Sequence, residues 1–455
     1  MSRSIKGALS GWANFPKETG YIYRPEKYKD LQEILRSKNQ FHYISRGLGR
    51  SYGDTALNKQ SGIISHTRFN RFLYFDDQVQ VLECEAGVTF KEIIELFLPR
   101  GYTLPVTPGT KYVTVGGAIA NDVHGKNHHR DGSISNHILD IKLLTPSGGI
   151  MTCSRQENQE LFRATMGGIG LTGIILSARI KLMKVESSYI EVDYKKAAHL
   201  DDAIDMLNET DDLYQYSVAW IDCISRNRSM GRSVLMLGNH ASKEQVDKNE
   251  PLSLKKRRKL KVPFNLPAFV LNPYSIKAFN SFYYSRFKNT SEVLVDYDSF
   301  FYPLDVILSW NRIYGKTGFI QYQVVFPLET SRQGLTKLLQ KLSRARCSSF
   351  LGVLKRFGEN ENGLLSFPRK GYTLALDIPF RGGEQLLTFI RELDEVVLSY
   401  GGALYLAKDS LMTPGTFARM YPKLSTFQEI KAKIDPDGLF SSSMARRLNI
   451  VRDIG

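Results

Sequence analysis

The sequence predicts an α+β fold in two domains, and three observations predict it. Short strand-like stretches alternate with amphipathic helical ones along all 455 residues. Glycine-rich loops crowd the first part, at 46–56, 108–129 and 167–173. From about Tyr189 the alternation continues without such loops until about Leu404. We therefore expect one domain over 1–188, a second over 189–403, and a C-terminal segment over 404–455.

The elements follow in order. Leu31, Ile34 and Leu35 stand at helical spacing within Lys27–Arg36. Phe41–Ser45, Ile63-Ile64, Phe72–Phe75 and Val79–Cys84 read as short strands. Thr89 is placed to cap a helix over Phe90–Leu98, and Gly101 to end it. Ile138–Thr145 and Ile150–Cys153 flank the turn Pro146-Ser147-Gly148-Gly149, as in a hairpin. A helix over Glu157–Met166 and a strand over Leu171–Met183 close the first domain. Near the C-terminus a helix is expected over Lys423–Ile434.

Composition narrows the function. No apolar run is long enough to span a membrane, and Met1–Gly7 lacks the apolar centre of a signal peptide. Cys84, Cys153, Cys223 and Cys347 are scattered, which suits a reducing compartment and no disulfide framework. Sixty-one basic against 46 acidic residues give a net charge of +15, which favours an anionic partner. The densest cluster is Lys255-Lys256-Arg257-Arg258-Lys259, and aromatic, apolar chain follows it to Phe287. No nucleic-acid module accompanies it, so no nucleic acid is expected. Basic plus apolar reads as contact with a membrane surface, in a segment, 240–290, expected to be poorly ordered.

The loops carry the chemistry. In "GLGRSYGD" Gly47 and Gly49 fit a dinucleotide fingerprint, but Tyr52 takes its third glycine position and no helix pattern follows. A nicotinamide-type site is not expected, although consecutive N–H groups beside Arg46 and Arg50 suit an anion. In "PGTKYVTVGGAIANDVHGKNHH", small residues let backbone approach a flat ligand. His124 and His128 stand four apart, but Gly125 interrupts them and no glutamate takes the zincin position, so no metal is expected. With "GGIGLTG" at 167–173, three loops point to one extended, phosphate-bearing cofactor.

These loops, in this order, resemble the vanillyl-alcohol-oxidase/PCMH class of FAD-dependent oxidoreductases. The match sharpens at "RGLGRSYGD", "HGKNHH", "QYQ" (321–323), "LKRFG" (354–358), "LALDIP" (374–379), "LYLAKDS" (404–410) and "SMARRL" (443–448). These resemble the decaprenylphosphoryl-β-D-ribose 2-oxidase family over nearly the whole chain, most weakly at 190–300. The resemblance implies a PCMH-type FAD-binding fold, with a substrate domain on an antiparallel sheet and a C-terminal segment that returns to the FAD domain. It implies that Arg46, Gly47, Leu48, Gly49, Arg50, Ser51, Tyr52, Gly53, Asp54, Thr55 and Ala56 hold the pyrophosphate and adenosine side. Gly109, Thr114, Val115, Gly116 and Gly117 would line the cofactor. Asn121, Asp122, Val123 and His124 would pass along the flavin, with Ile175 and Tyr405 completing the pocket. Tyr52, Lys126, Gln321, Gln323, Lys355, Phe357 and Lys408 would border the substrate.

The chemistry implied is oxidation of the 2-hydroxyl of a polyprenylphosphoryl-β-D-ribose to the 2-keto sugar. That is the first half of an epimerisation completed by a short-chain NADH-dependent reductase. An aldonolactone or other sugar-alcohol oxidase is the alternative. Catalytic candidates are Lys408, as cation or as neutral base, His124 as the rival base, and Tyr405 as a packing and hydrogen-bonding group. Lys126 and Lys355 would take substrate phosphate. Two positions depart from the pattern. Arg50 stands where some class members tether FAD to a histidine, so the flavin is expected to be non-covalent. Ala375 stands where mycobacterial members carry cysteine. A lipid-linked substrate implies a cytoplasmic protein held peripherally at the inner membrane, with the periplasmic face left open as the alternative.

Overall fold

The structure, a computed structural model, describes residues 4–37, 41–246, 250–255, 257–345, 349, 351–360 and 362–451. Cys347 and Lys256 lie outside the described residues. Two sheets form the N-terminal part. The first contains β1 (Ser4–Ser10), β2 (Lys17–Tyr23), β3 (Tyr43–Arg46) and β4 (Gly62–Ser65) in the order β1-β2-β4-β3. β4 runs parallel to both neighbours. Helix α1 (Tyr28–Arg36) crosses between β2 and β3 and buries Leu31, Ile34 and Leu35. The second sheet contains β5 (Phe72–Asp76), β6 (Val81–Glu85), β7 (Ile138–Leu144), β8 (Ile150–Ser154) and β9 (Ile174–Lys181). It is antiparallel throughout, in the order β5-β6-β9-β7-β8.

Helix α2 (Phe90–Phe97) is fixed at both ends by the residues that predict it. Thr89 Oγ1 accepts from Glu92 N–H at 3.1 Å, and Glu92 accepts from Thr89 N–H at 2.8 Å. Gly101 closes the following turn at φ 82°. The helix buries Phe90, Ile93, Ile94 and Phe97 against Leu82, Cys84, Ala178 and Ile180, alternate residues of β6 and β9. Helix α3 (Val115–Ala120) lies within the second loop, and α4 (Gln159–Thr165) leads into the third.

The larger sheet begins at Tyr189. Its elements are β10 (Tyr189–Ala197), α5 (Leu200–Glu209), β11 (Tyr216–Ile221), β12 (Ser233–His240), α6 (Pro273–Arg286), β13 (Thr290–Asp296), β14 (Phe319–Pro327), α7 (Ser331–Arg344), β15 (Gly352–Phe357), β16 (Gly371–Pro379), α8 (Gly383–Ser399) and β17 (Ala403–Leu404). The strand order is β13-β10-β12-β11-β15-β16-β14-β17, antiparallel at every pairing. Residue alternation gives the sheet two unlike faces. Tyr322, Val324, Leu354, Leu374 and Leu376 pack in the same core as Leu335, Leu338, Leu339 and Leu342 of α7. Gln321, Gln323, Val353, Lys355 and Ala375 occupy the alternate positions and line a cleft. Val353, Ala375 and Gln323 stand directly opposite one another across three strands.

Segment 240–290, expected to be poorly ordered, holds a 14-residue helix, α6. Part of the basic run is also fastened down. Arg257 pairs with Asp296, Lys259 bonds the Tyr112 hydroxyl, and Lys255 lies 5.5 Å from the centre of the Tyr189 ring. The charge run finds these partners because β13 and the second glycine loop pass beside it. Among the described residues, no helix is long and apolar enough to cross a membrane.

The C-terminal chain meets the first glycine loop. Tyr52 N–H donates to Ala407 O at 2.8 Å, and Arg447 bonds both Asp54 carboxylate oxygens, at 2.9 and 2.8 Å. Arg447 also reaches Asp409 at 3.0 Å. Helix α9 (Leu424–Ile434) follows, and Asp435 Oδ1 accepts from Leu439 N–H at 2.8 Å beyond it.

Candidate active site

All three glycine loops and the polar face of the large sheet border one cleft of about 320 Å³. The first loop contributes Arg46–Tyr52, Thr55 and Ala56, the second Pro108–Thr110 and several residues from Val113 to His124, and the third Ile169, Gly170 and Gly173. The loops come together through close backbone approach. A side chain on Gly47 would strike Thr114 Oγ1 at 2.2 Å, and one on Gly116 would meet Ala86 at 3.0 Å. Among the described residues, the N–H groups of Gly47 to Ser51 find no protein acceptor. Arg46 is spent on structure, donating to Ala56 O at 3.1 Å and Ser10 O at 2.7 Å. Arg50 stacks 3.9 Å from the centre of the Trp12 ring and keeps its charge at the cleft.

The opposite wall is electropositive. Lys408 and Lys355 project into the cleft, and the one carboxylate bordering it among the described residues, Asp305, is bonded to Thr110 and Lys111 of the second glycine loop. Burial pulls Lys408 down to about 7, with buried Asp377 opposing the shift and Lys355 reinforcing it. Lys408 Nζ sits 3.6 Å from the centre of the Tyr52 ring and makes no hydrogen bond to the described residues. Burial likewise brings Lys355 to about 7. Asp377 rises to about 6 through burial, although it accepts from Gln321 at 2.7 Å and Tyr314 at 2.9 Å.

His124 is held from both sides. Gln323 Nε2 lies 3.1 Å from its Nε2, and Lys355 Nζ 3.2 Å from its Nδ1. Burial holds its pKa well below the ordinary value, so the ring is neutral and carries one N–H. Thr373 Oγ1 spends its hydrogen on Val324 O at 2.7 Å, so it accepts from Gln323 at 3.3 Å; the amide nitrogen therefore lies on this side and His124 Nε2 is the acceptor. The N–H is then on Nδ1 and points at Lys355, which can accept it only as a neutral amine. Lys355 donates in turn to Gly125 O at 3.2 Å. His124 thus has both nitrogens engaged, whereas the Lys408 amine makes no hydrogen bond to the described residues.

The chain matches known families at both ends. Residues 19–154 match the FAD binding domain, and residues 316–448 match D-arabinono-1,4-lactone oxidase. Decaprenylphosphoryl-beta-D-ribose oxidase of Mycolicibacterium smegmatis is 38% identical over 90% of this chain and 89% of its own. The chain belongs to the decaprenylphosphoryl-β-D-ribose oxidase family. An uncharacterized protein of Streptomyces coelicolor is 33% identical over 80% of this chain and its own full length. L-gulonolactone oxidase of Mus musculus is 21% identical over 98% of this chain and all of its own. As a member of this family, the protein is an FAD-dependent oxidoreductase that acts on CH–OH groups.

The residues present fit the cofactor. Ser45 Oγ, both ring nitrogens of His66 and Asn121 Oδ1 are buried, lack a partner among the described residues and belong to residues on this cleft. Buried polar atoms left without partners are costly, so four on one wall describe a surface shaped for a polar ligand. The unbonded N–H groups of the first loop add anion-binding donors.

Most residues expected at the site do border the cleft: Arg46, Gly47, Leu48, Gly49, Arg50, Ser51, Tyr52, Thr55, Ala56, Gly109, Thr114, Gly116, Gly117, Asn121, Val123, His124, Ile175, Gln321, Gln323, Lys355, Tyr405 and Lys408. Six do not. A Cβ on Gly53 would lie 1.8 Å from Asp409 O, so this glycine admits the C-terminal chain rather than a phosphate. Asp54 is taken by Arg447. Val115 packs in the core of the second sheet. Asp122, at φ 42°, accepts from Ser135 N–H and from Ser366 and Asn360. Lys126 turns away to Phe300, whose carbonyl it bonds. Phe357 packs behind His124, ring centres 4.6 Å apart.

Trp12, Ser45, His66, Asp305 and Trp310 border the cleft without having been expected there. No local pattern marks them, because each arrives from outside the glycine loops. Tyr405 is held by its hydroxyl, which donates to Asn121 O at 2.7 Å, and it stacks on Phe367.

Proposed function

We propose that the protein oxidises the 2-hydroxyl of a polyprenylphosphoryl-β-D-ribose to the 2-keto sugar, with Lys408 as the base. The observation that carries this reading is the Lys408 amine, buried, brought to about 7 and without a hydrogen bond to the described residues, on the wall of the family's cleft. FAD, when bound, supplies the hydride acceptor for such an oxidation. Neutral Lys408 accepts the hydroxyl proton as C2 gives up its hydride, and the C–O bond becomes C=O. Asp377 lies behind the lysine, and its charge stabilises the ammonium that forms. Gln321 is tied to the same carboxylate and sets the floor beside Lys408. Gln323 and Lys355 keep His124 in one tautomer, so it orients rather than takes a proton. Arg50 supplies charge for phosphate on cofactor and substrate. Arg50 in place of a tethering histidine favours non-covalent FAD.

The product is a 2-keto sugar that a short-chain NADH-dependent reductase would reduce to the arabinose epimer. The lipid on the substrate sets the enzyme to work at a membrane surface, on either face of the inner membrane. A lactone or free sugar alcohol is the second reading, favoured by the lactone-oxidase match over 316–448 and by the mouse relative.

Anaerobic titration of the purified yellow protein separates the two. Bleaching of the flavin by phosphoribosyl lipid, with little effect from ribose or aldonolactones, is the expected result. Bleaching by a lactone alone transfers the assignment to the second reading.

A further inference from the structure

A second cavity, of about 400 Å³, lies away from the cleft, between the start of α6, the end of β16 and the first turn of α8. Its walls are largely apolar, with Leu271, Ile276, Ile378, Leu386 and Phe389, and one arginine, Arg381, shares them. Arg381 donates once, from Nη1 to Leu271 O at 3.1 Å. Among the described residues its Nε and Nη2 are buried and have no partner, and no carboxylate pairs with it. Nε and Nη2 form one edge of the guanidinium, the edge that grips an oxyanion with two parallel hydrogen bonds. A desolvated guanidinium edge without acceptors costs stability unless an anion arrives from outside. Gly382, which caps α8 with no side chain, and Gln385 of its first turn line the same cavity.

What surrounds the cavity says what brings the anion. Only Ile276 and Asn280 of α6 are buried. Tyr274 is 81% exposed, Phe282 65% and nearby Phe269 75%. Lys277, Arg286 and Lys288 are exposed among them. Large aromatics facing water beside cations suit the headgroup region of an anionic bilayer.

We propose that this cavity binds the phosphate of an anionic phospholipid, with Arg381 gripping the headgroup and the aromatics of α6 resting at the membrane interface. This deepens the membrane-surface reading above by naming the groups that hold the surface. It does not depend on which sugar is oxidised.

The test uses the full-length, flavin-loaded protein and vesicles of phosphatidylcholine with or without phosphatidylglycerol. Wild type should co-sediment with the anionic vesicles and much less with the neutral ones. R381M should lose about tenfold in affinity for the anionic vesicles, the scale of a lost charge-assisted pair of hydrogen bonds. R381K, which keeps the charge without the fork, should fall between. In lipid-free buffer R381M should melt no lower than wild type, because it removes an unpaired buried group; a purely structural arginine would lower the melting temperature. F282D, a change on the exposed face of α6, should weaken vesicle binding without touching the cavity. Wild-type vesicle affinity in both R381M and F282D overturns the proposal. Displacement from vesicles by matched inorganic phosphate marks a free-anion site and overturns the lipid assignment. If the oxidase reading fails, phosphoribosyl lipid does not bleach the flavin while vesicle binding stands, so the two failures are separable.

Discussion

The wall of the cleft made by the glycine loops and the wall made by the eight-stranded sheet meet opposite demands. The loop wall is backbone: Gly47 against Thr114, Gly116 against Ala86, and a run of N–H groups with no protein acceptor. It offers fixed dipoles to a ligand and depends on residues having no side chain. The sheet wall is side chain: Gln321, Gln323, Lys355 and Ala375 stand at alternate positions of three strands, with Lys408 above them. It offers groups whose protonation can change, and it depends on burial to tune them. A site that must both hold a large anion-bearing cofactor and move a proton needs both kinds of wall.

The comparison breaks most sharply at Lys408. K408M should retain the flavin spectrum, because the loop wall is untouched, yet lose about 10²- to 10⁴-fold in turnover, the usual worth of a positioned base. Turnover near wild type in single-turnover flavin reduction would place the base elsewhere. On the loop side, G53A should destabilise the fold by about 1–3 kcal/mol, since its methyl meets the Asp409 carbonyl. Urea unfolding would show this, and unaltered stability would mean that the C-terminal chain does not press on the loop.

A subtler effect is the pH dependence. Lys408 must be neutral to take a proton and titrates near 7, so kcat/KM should rise as pH climbs through about 7 and then level. D377N removes the negative charge that raises the lysine, so its pKa falls and the rising limb should move to lower pH. Activity that instead declines above pH 7 would assign Lys408 the role of an obligatory cation. The smallest effect is expected for A375C. The position borders the cleft, so the variant should gain labelling by a thiol reagent, blocked by substrate, with turnover little changed. A thiol that resists labelling would mean that this row of the sheet does not face the cleft.

Much of the N-terminal fold was legible because its signals are local. Thr89, Glu92 and Gly101 mark the ends of α2, and Leu31, Ile34 and Leu35 give α1 its buried stripe. The loops were legible because glycine in clusters has few other uses. The sheet wall was readable only through family resemblance, since Gln321, Gln323, Lys355 and Lys408 carry no pattern of their own. Lys126 shows what resemblance alone does not place: one residue beyond Gly125, its side chain bonds the Phe300 carbonyl and does not line the cleft. Segment 240–290 shows what composition leaves open, because a basic, aromatic stretch reads alike whether it is loose or, as over Pro273–Arg286, folded as α6.

The sequence by itself determined the helix caps, the strand alternation and the three glycine loops, because each depends on residues within a turn or two of one another. Only the tertiary structure decided that those loops share one cleft, that Asp377 backs Lys408, and that Gly53 yields to the C-terminal chain rather than to phosphate. Those facts depend on how far groups distant in sequence are buried together, and burial, unlike periodicity, is a property of the whole fold.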